Sequence, residues 1–309
     1  MIWLPVVGNY ADIDVYASII AYADLLNQRG KLAKTYIPVK PNYSVPDKLR
    51  MPKWENDIFD FRTSDQAIIL DLSIPEEINR LVPDNQILEL IDHHPGYEEY
   101  WHKRIGDKAI IEKIGAVATS IFEWWGECWD YSKMSPKIAK LLLGAILDNT
   151  LNFNAEITTE RDRRAAEELS EIAGISLTDF TSWYFSEVSK TIISDLENSL
   201  LQDCKSTTSS TDAPELVFCQ LALWDAQEII TRQEEIIKIL NDKSAKWVVS
   251  VLCIAEKKNY IIASSPEIDD YFTNLLHLEK DGTWLVSKHL YLRKEIIGKM
   301  LTQKKHKLY

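Results

Sequence analysis

Residues 87–95 (ILELIDHHP) form a mostly apolar run that is followed by an acid and two adjacent histidines. The mostly apolar run before Asp92 predicts a buried strand that ends on this acid. His93 and His94 follow directly, although the 309 residues contain only 6 histidines. Imidazoles beside a carboxylate are suited to hold a divalent metal ion or to contact a phosphate. The stretch therefore predicts a strand that delivers polar ligands to a site at its carboxyl end.

Two other apolar runs also end on polar residues. Residues 2–7 lead into Gly8 and Asn9, and residues 67–70 end on Asp71. Apolar residues fall at helical spacing from Asp14 to Leu26. Further helices are predicted at 117–129, 136–147 and 160–173. Strands separated by helical stretches predict an α/β fold with a parallel sheet, whose ligands gather at the carboxyl ends of the strands.

The length of the chain and a change in composition predict two domains. A chain of 309 residues exceeds what one hydrophobic core usually fills. After a helical stretch at about 177–201, residues 205–214 are rich in Ser and Thr and predict a flexible surface connection. Strands are then predicted at 215–222, 247–254 and 259–264, with a helix at 224–240. We expect an N-terminal domain at 1–184 and a smaller C-terminal α/β domain at 185–309.

Charge and composition exclude several classes of protein. The net charge of −12 argues against a nucleic-acid-binding surface, which needs a basic face. No apolar run reaches the roughly 18 residues of a membrane span, and the first residues lack a basic leader. The four cysteines (Cys128, Cys204, Cys219 and Cys253) show no CxxC pairing. We therefore expect reduced thiols in a cytoplasmic protein.

Four segments together resemble a known superfamily. They are residues 8–14 (GNYADID), 70–73 (LDLS), 92–94 (DHH) and 144–153 (GAILDNTLNF). In this order they resemble the DHH phosphoesterase superfamily, and within it the family II inorganic pyrophosphatases and the related exopolyphosphatases, including the prune-like branch. Residues 115–120 also resemble the family's glycine-containing helix start, and 203–205 and 293–294 resemble the lysine and Arg-Lys segments of its second domain.

The resemblance implies a site in the cleft between the two domains, with two divalent metal ions, Mn²⁺ or Mg²⁺ and as a further alternative Co²⁺. The metal ligands that it implies are Asn9, Asp12, Asp14, Asp71, His93 and, from the fourth segment, Asp148 or Asn149. His94 would face the substrate as a proton or hydrogen-bond donor, and Asp92 would orient the loop. Lys205, Arg293 and Lys294 would contact the phosphates from the second domain.

Each of these roles has a structural alternative. Asp12 and Asp14 could cap the helix that follows them, since acids are favoured at helix N-termini. Asp71 and Asp148 could be ordinary loop or surface acids. Lys205 could be a solvated charge in a polar loop, and Arg293 with Lys294 could belong to an exposed basic face.

Two positions depart from the family pattern. Asn9 stands where family II pyrophosphatases have histidine, whereas exopolyphosphatase-like and prune-like members also have asparagine there. An amide oxygen favours Mg²⁺ more than an imidazole does. Asn149 stands where the metal-binding aspartate of the fourth segment falls, and Asp148 lies one place early. One metal position could therefore have lost a carboxylate.

The resulting hypothesis is a metal-dependent phosphohydrolase that cleaves phosphoanhydride bonds in a small phosphate compound. Exopolyphosphatase-like activity on short polyphosphates is the first choice, and pyrophosphate hydrolysis is close behind. The alternatives are a catalytically weakened phosphate-binding or regulatory protein and, less favoured because the chain has no adjacent glycines, an oligonucleotide phosphodiesterase. We expect no nucleic-acid or membrane partner, and a homodimer is an open alternative.

Overall fold

The computed structural model describes residues 1–55, 59–207 and 214–302, and these divide into two compact units. The first unit comprises residues 1–153 and 157–184, and the second comprises residues 154–156 and the chain from 185 onward. Residues 208–213 of the predicted Ser/Thr-rich connection lie outside the described residues.

The first unit contains a five-stranded sheet in the order β2-β1-β3-β4-β5, and all of its pairings are parallel. Its strands are β1 (Ile2–Pro5), β2 (Ala33–Tyr36), β3 (Gln66–Leu70), β4 (Ile87–Asp92) and β5 (Ala109–Ile111). The predicted parallel α/β sheet is confirmed. Because the chain turns in opposite directions after β1 and β3, the crevice for a ligand is expected where these two neighbours end.

Helices accompany this sheet in the first unit, and the last of them continues into the second unit. They are α1 (Ile13–Gln28), α2 (Pro75–Ile78), α3 (Glu98–Ile105), α4 (Val117–Cys128), α5 (Pro136–Asn149), α6 (Glu160–Ala173) and α7 (Leu177–Ser194). The helix α5 begins where its sequence predicts, since the Ser135 hydroxyl accepts a hydrogen bond from Ile138 N and proline follows at the first helical position. At the start of α6, Thr159 and Asp162 form a capping box.

The second unit contains a six-stranded mixed sheet in the order β10-β11-β9-β8-β7-β6. Its strands are β6 (Cys204–Ser206), β7 (Val217–Leu223), β8 (Trp247–Cys253), β9 (Lys258–Ala263), β10 (Glu279–Asp281) and β11 (Trp284–Val286). Its helices are α8 (Leu196–Gln202), α9 (Gln227–Thr231), α10 (Gln233–Lys243), α11 (Pro266–Leu276) and α12 (Arg293–Thr302). The core includes Phe218, Phe272 and Ile296, which are fully buried. The predicted second α/β unit is confirmed, although its predicted helix at 224–240 is broken into α9 and α10.

One prediction about the cysteines is wrong. Cys204 and Cys219 form a disulfide, because the antiparallel register of β6 and β7 places the two residues opposite each other. A pair separated by 15 residues has no spacing motif that reveals it in the sequence. Cys253 is a buried free thiol, as expected, and Cys128 is an exposed one.

Among the described helices, none is both long enough and apolar enough to cross a bilayer.

Candidate metal centre

The ends of β3 and β4 bring one carboxylate and two imidazoles together. Asp71 follows β3 directly in a left-handed conformation (φ 61°), which aspartate tolerates better than most residues. The Asp71 amide donates to Ile91 O at 2.9 Å and so ties the two strand ends together. The carboxylate Oδ1 of Asp71 lies 3.4 Å from His93 Nε2 and 3.9 Å from His94 Nδ1.

The second ring nitrogen of His93 identifies which of its nitrogens can bind a cation. His93 Nδ1 lies 3.2 Å from Ile114 O, and because a carbonyl only accepts, Nδ1 carries the proton. When His93 is neutral, the lone pair of Nε2 points towards the Asp71 carboxylate, so two acceptors face each other in a buried place. A cation between them, or a proton on the ring, would relieve this repulsion. Metal-binding histidines characteristically donate their other N–H in this way, so the donor set fits a divalent metal ion.

Asp92 organises the backbone and side chain of the two histidines. Its Oδ1 accepts hydrogen bonds from His93 N (2.7 Å), His94 N (3.1 Å) and His94 Nδ1 (2.8 Å). Burial alone would raise the pKa of the Asp92 carboxyl, but the hydrogen bonds and charge of His94, with a contribution from Ser73, hold it below its usual value. Asp92 thereby fixes the orientation of the His94 ring, with Nδ1 turned towards the protein. The His94 side chain is 44% exposed, so Nε2 can contact an external partner.

Asp12 makes the helix contact that the structural alternative predicted, whereas Asp14 contacts a different helix. Asp14 is fully buried, and its two oxygens accept hydrogen bonds from Val117 N and Ala118 N, each at 2.9 Å. These are the first amides of α4, so Asp14 holds the N-terminus of that helix rather than the start of its own. Asp12 caps α1 by accepting from Val15 N at 3.2 Å.

The fourth segment ends α5, where Asp148 and Asn149 are both half-buried. The hydroxyl of Tyr184 lies 2.9 Å from Asp148 Oδ1 and 2.8 Å from Ser44 O. Burial, and next the charge of Asp148, raise the pKa of Tyr184 well above its ordinary value, so this phenol remains a donor. Tyr184 and Ser44 were not identified from the sequence, because no motif links them to residue 148.

Gly144 allows the close packing that positions this end of α5. A Cβ at Gly144 would lie 2.9 Å from Ile13 Cδ1 and 3.3 Å from Tyr184 Cε2.

After α5, the three residues 151–153 all have positive φ angles (49°, 52° and 63°), which produces a tight left-handed turn. Such backbone strain in non-glycine residues is often found at functional sites.

Within the described part of the chain, Asp71, His93 and His94 form a group that could hold a metal ion. Their ligand atoms all lie within 4.8 Å of one another. His94 is thus near the carboxylate as well as being the predicted substrate contact. Of the other predicted ligands, Asp12, Asp14 and Asp148 lie outside that group and Asn9 is exposed after β1. The metal-binding roles of Asn9, Asp12, Asp14, Asp148 and Asn149 stay predictions.

The predicted substrate contacts of the second unit have unequal exposure. Lys205 is exposed on β6, and Lys294 is half-buried in the first turn of α12. Arg293 is only 8% exposed, and its guanidinium binds the Asp203 carboxylate at 2.8 Å and the Asp203 carbonyl. Arg293 therefore anchors the start of β6, and its contact with a phosphate stays a prediction.

The fold and the site together define an α/β protein with a histidine–carboxylate centre at the carboxyl edge of a parallel sheet. No model of a known protein family matches the chain. The chain is 28% identical over 245 residues to a Shouchella clausii (strain KSM-K16) protein named "Probable manganese-dependent inorganic pyrophosphatase", a match that covers 75% of this chain and 74% of the relative.

Two solved structures share the fold. A Methanococcus jannaschii protein described as a family II inorganic pyrophosphatase superposes with a TM-score of 0.70 at 20% identity, covering 97% of this chain and 98% of that one. An exopolyphosphatase-related protein of Bacteroides fragilis superposes with a TM-score of 0.52 at 13% identity, covering 99% and 91%. The resemblance of the chain to the DHH phosphoesterase superfamily, and within it to family II inorganic pyrophosphatases, is confirmed.

Proposed function

We propose that the protein is a metal-dependent phosphohydrolase that cleaves the phosphoanhydride bonds of pyrophosphate or short polyphosphates. The observation that carries the proposal is the arrangement of Asp71, His93 and His94 at the ends of β3 and β4. The name of the Shouchella clausii relative supports pyrophosphate as the first substrate to test. Short polyphosphates are the second candidate, because Asn9 stands where family II pyrophosphatases have histidine.

The residues of the centre suit a divalent ion of intermediate hardness. Asp71 offers oxygen and His93 offers nitrogen, a mixed set that Mn²⁺ accepts, and the name of the relative also favours Mn²⁺. A bound divalent ion supplies positive charge that polarises phosphoryl oxygens and activates water. We propose two such ions, the second held by Asn9, Asp12 or Asp14 together with Asp148 or Asn149. Mg²⁺ and Co²⁺ are the alternative metals.

The protein's own groups would handle the substrate and the proton. His94 would donate from Nε2 to a phosphate oxygen, since Asp92 holds its other nitrogen. Because Nδ1 donates to Asp92, the form that also donates from Nε2 is the imidazolium. Lys205 and Lys294 would add positive charge beside the phosphates, which stabilises negative charge as the P–O bond breaks.

Phosphate release tests the proposal directly. Purified protein is assayed on pyrophosphate, tripolyphosphate and longer polyphosphate with Mn²⁺, Mg²⁺ or Co²⁺, together with Asp71→Ala and His94→Gln. His102→Gln is the matched control, because His102 is an exposed histidine on α3. We expect metal-dependent release that both site variants lose and the control retains. A folded protein that releases no phosphate with any of these metals would refute the hydrolase and favour a phosphate-binding protein without catalysis.

Three expectations stay predictions: the homodimer, the cytoplasmic location and the absence of a nucleic-acid partner. Light scattering on the purified protein measures the oligomeric state, and a short oligonucleotide included in the hydrolysis assay tests the phosphodiesterase alternative.

A further inference from the structure

A second concave site lies on the first unit, at the N-terminal end of α5. It is a cavity of about 490 Å³. Its lining includes three lysines and three large apolar residues: Lys48, Lys137, Lys140, Leu49, Phe180 and Trp183. We call this cavity the lysine groove. An adjoining cavity of about 410 Å³ shares Lys137 and adds Lys53.

The lysine groove brings three positive charges together, although the protein as a whole has a net charge of −12. Among the described residues, no acidic side chain lines either cavity. Within residues 1–55, 59–207 and 214–302, neither Lys137 nor Lys140 forms an ion pair, and the nearby Asp47 pairs with Arg50 at 3.7 Å. Like charges held together at one concavity repel one another and attract an anion, so the groove is built to receive negative charge.

The apolar side chains that line the lysine groove are unsuited to a purely ionic ligand. Phe180 is fully buried, and its ring centroid lies 5.3 Å from that of the half-buried Trp183. Leu49 is buried as well, so the apolar surface that the cavity presents comes from Trp183, Pro136 and Ile175. An inorganic phosphate would leave this surface without a partner, whereas a ligand with a planar ring would cover it. The volume lies within the usual range for small-molecule sites, which combine an apolar lining with a few polar groups.

We propose that the lysine groove binds a nucleoside phosphate, with the base against Trp183 and the phosphates among Lys48, Lys137 and Lys140. Aromatic rings stack on bases regardless of their identity, and lysines attract phosphates as point charges. The groove is separate from the metal centre. Lys140 precedes Asp148 by eight residues of α5, which is about 12 Å along the helix axis.

The lysine groove nevertheless borders the residues that hold the end of α5. The rings of Phe180 and Tyr184 are stacked with centroids 6.3 Å apart, and the Tyr184 hydroxyl contacts Asp148. A nucleotide in the groove would therefore contact residues of α5, the helix that carries the fourth segment.

Equilibrium binding tests the proposal without reference to hydrolysis. Full-length protein in EDTA is titrated with ADP and, separately, with tripolyphosphate by isothermal titration calorimetry. The variants are Lys137→Ala/Lys140→Ala and Trp183→Leu, with Trp183→Tyr as the conservative substitution. Lys238→Ala/Lys243→Ala on α10 of the second unit removes the same charge from exposed positions and is the matched control.

We expect one ADP per chain, with affinity reduced at least tenfold by the double lysine variant and by Trp183→Leu. The Trp183→Tyr variant and the control should stay within threefold of the wild type, and tripolyphosphate should bind at least tenfold more weakly than ADP. The proposal is overturned if ADP does not bind, if the control weakens binding as much as the groove variants, or if tripolyphosphate binds as tightly as ADP. Circular dichroism of each variant shows that a loss of binding is not a loss of fold.

Discussion

Replacing Asp14 by asparagine should destabilise the protein even when no metal is present. The buried carboxylate accepts hydrogen bonds from Val117 N and Ala118 N, both at 2.9 Å. A hydrogen bond to a charged group contributes about 1.5–3 kcal/mol, against about 0.5–1.5 kcal/mol for a neutral pair. An amide keeps one acceptor oxygen and turns its NH₂ towards the other backbone donor. One strong bond is lost and the other weakened, so we expect a loss of about 2–4 kcal/mol in the free energy of unfolding.

Asp71→Asn is the matched comparison, because it removes the same charge from the metal centre. Asp71 faces His93 Nε2, to which the new amide could donate, so the metal-free stability should change by less than about 1 kcal/mol. Urea denaturation in EDTA measures both variants, and calorimetry with Mn²⁺ measures the binding that Asp71→Asn should abolish. If Asp14→Asn matches the wild type in EDTA, the contact of Asp14 with the start of α4 does not stabilise the fold and our argument fails.

Three further predictions concern a covalent bond, the metal and pH. Removing the disulfide by Cys204→Ser/Cys219→Ser should lower the free energy of unfolding by about 3 kcal/mol, the loop-entropy value for a 15-residue separation, and urea melts equal to those of the oxidised protein would contradict this. Mn²⁺ at 100 times the Kd of the Asp71–His93 site should add about 2.7 kcal/mol for that ion to the unfolding free energy of the wild type, and His93→Gln should lose this increment in thermal melts. The hydrogen bond from Arg161 lowers the pKa of Glu112 below its ordinary value of 4.5, so this pair stabilises the protein above that pH and the stabilisation disappears as pH falls through the lowered pKa. Glu112→Gln should therefore flatten the acid limb of a stability–pH curve, and an unchanged limb would show that the pair is not coupled to folding.

The parts of the fold that the sequence predicts are those whose apolar residues form a clear run or a clear periodicity along the element. The strand β4 is recognisable because an apolar run ends abruptly on Asp92, and α1 because its apolar residues recur at helical spacing. The edge strand β2 escapes prediction, since Ala33–Tyr36 mixes buried and half-buried residues with a lysine. The exposed strand β10 likewise has no apolar pattern, and it exists only because β11 lies beside it.

The candidate site shows the same limit in a different way. The positions of Asp71, His93 and His94 at strand ends follow from the order of elements alone, because parallel strands present their carboxyl ends at one edge. The partners of those residues do not follow. Nothing local to Asp14 indicates that the amides of α4, about a hundred residues later in the chain, would approach its carboxylate. The contact of Tyr184 with Asp148 also depends on the packing of α7 and leaves no motif in the sequence.

The structural and metal-binding interpretations of Asp14 are compatible, because a carboxylate has about four acceptor sites, and the two backbone amides and the Ser18 hydroxyl, 3.4 Å from Oδ1, use three of them. The amides of α4 fix the carboxylate in one place before any cation arrives, which removes the rotamer entropy that a metal would otherwise have to overcome. The same argument applies to Asp92, which three hydrogen bonds hold beneath the histidines. Burial of these acids is tolerable because each is already hydrogen-bonded, and their negative charge remains to attract a divalent ion. The contacts that stabilise the fold are therefore the ones that would prepare the edge of this sheet to hold a metal.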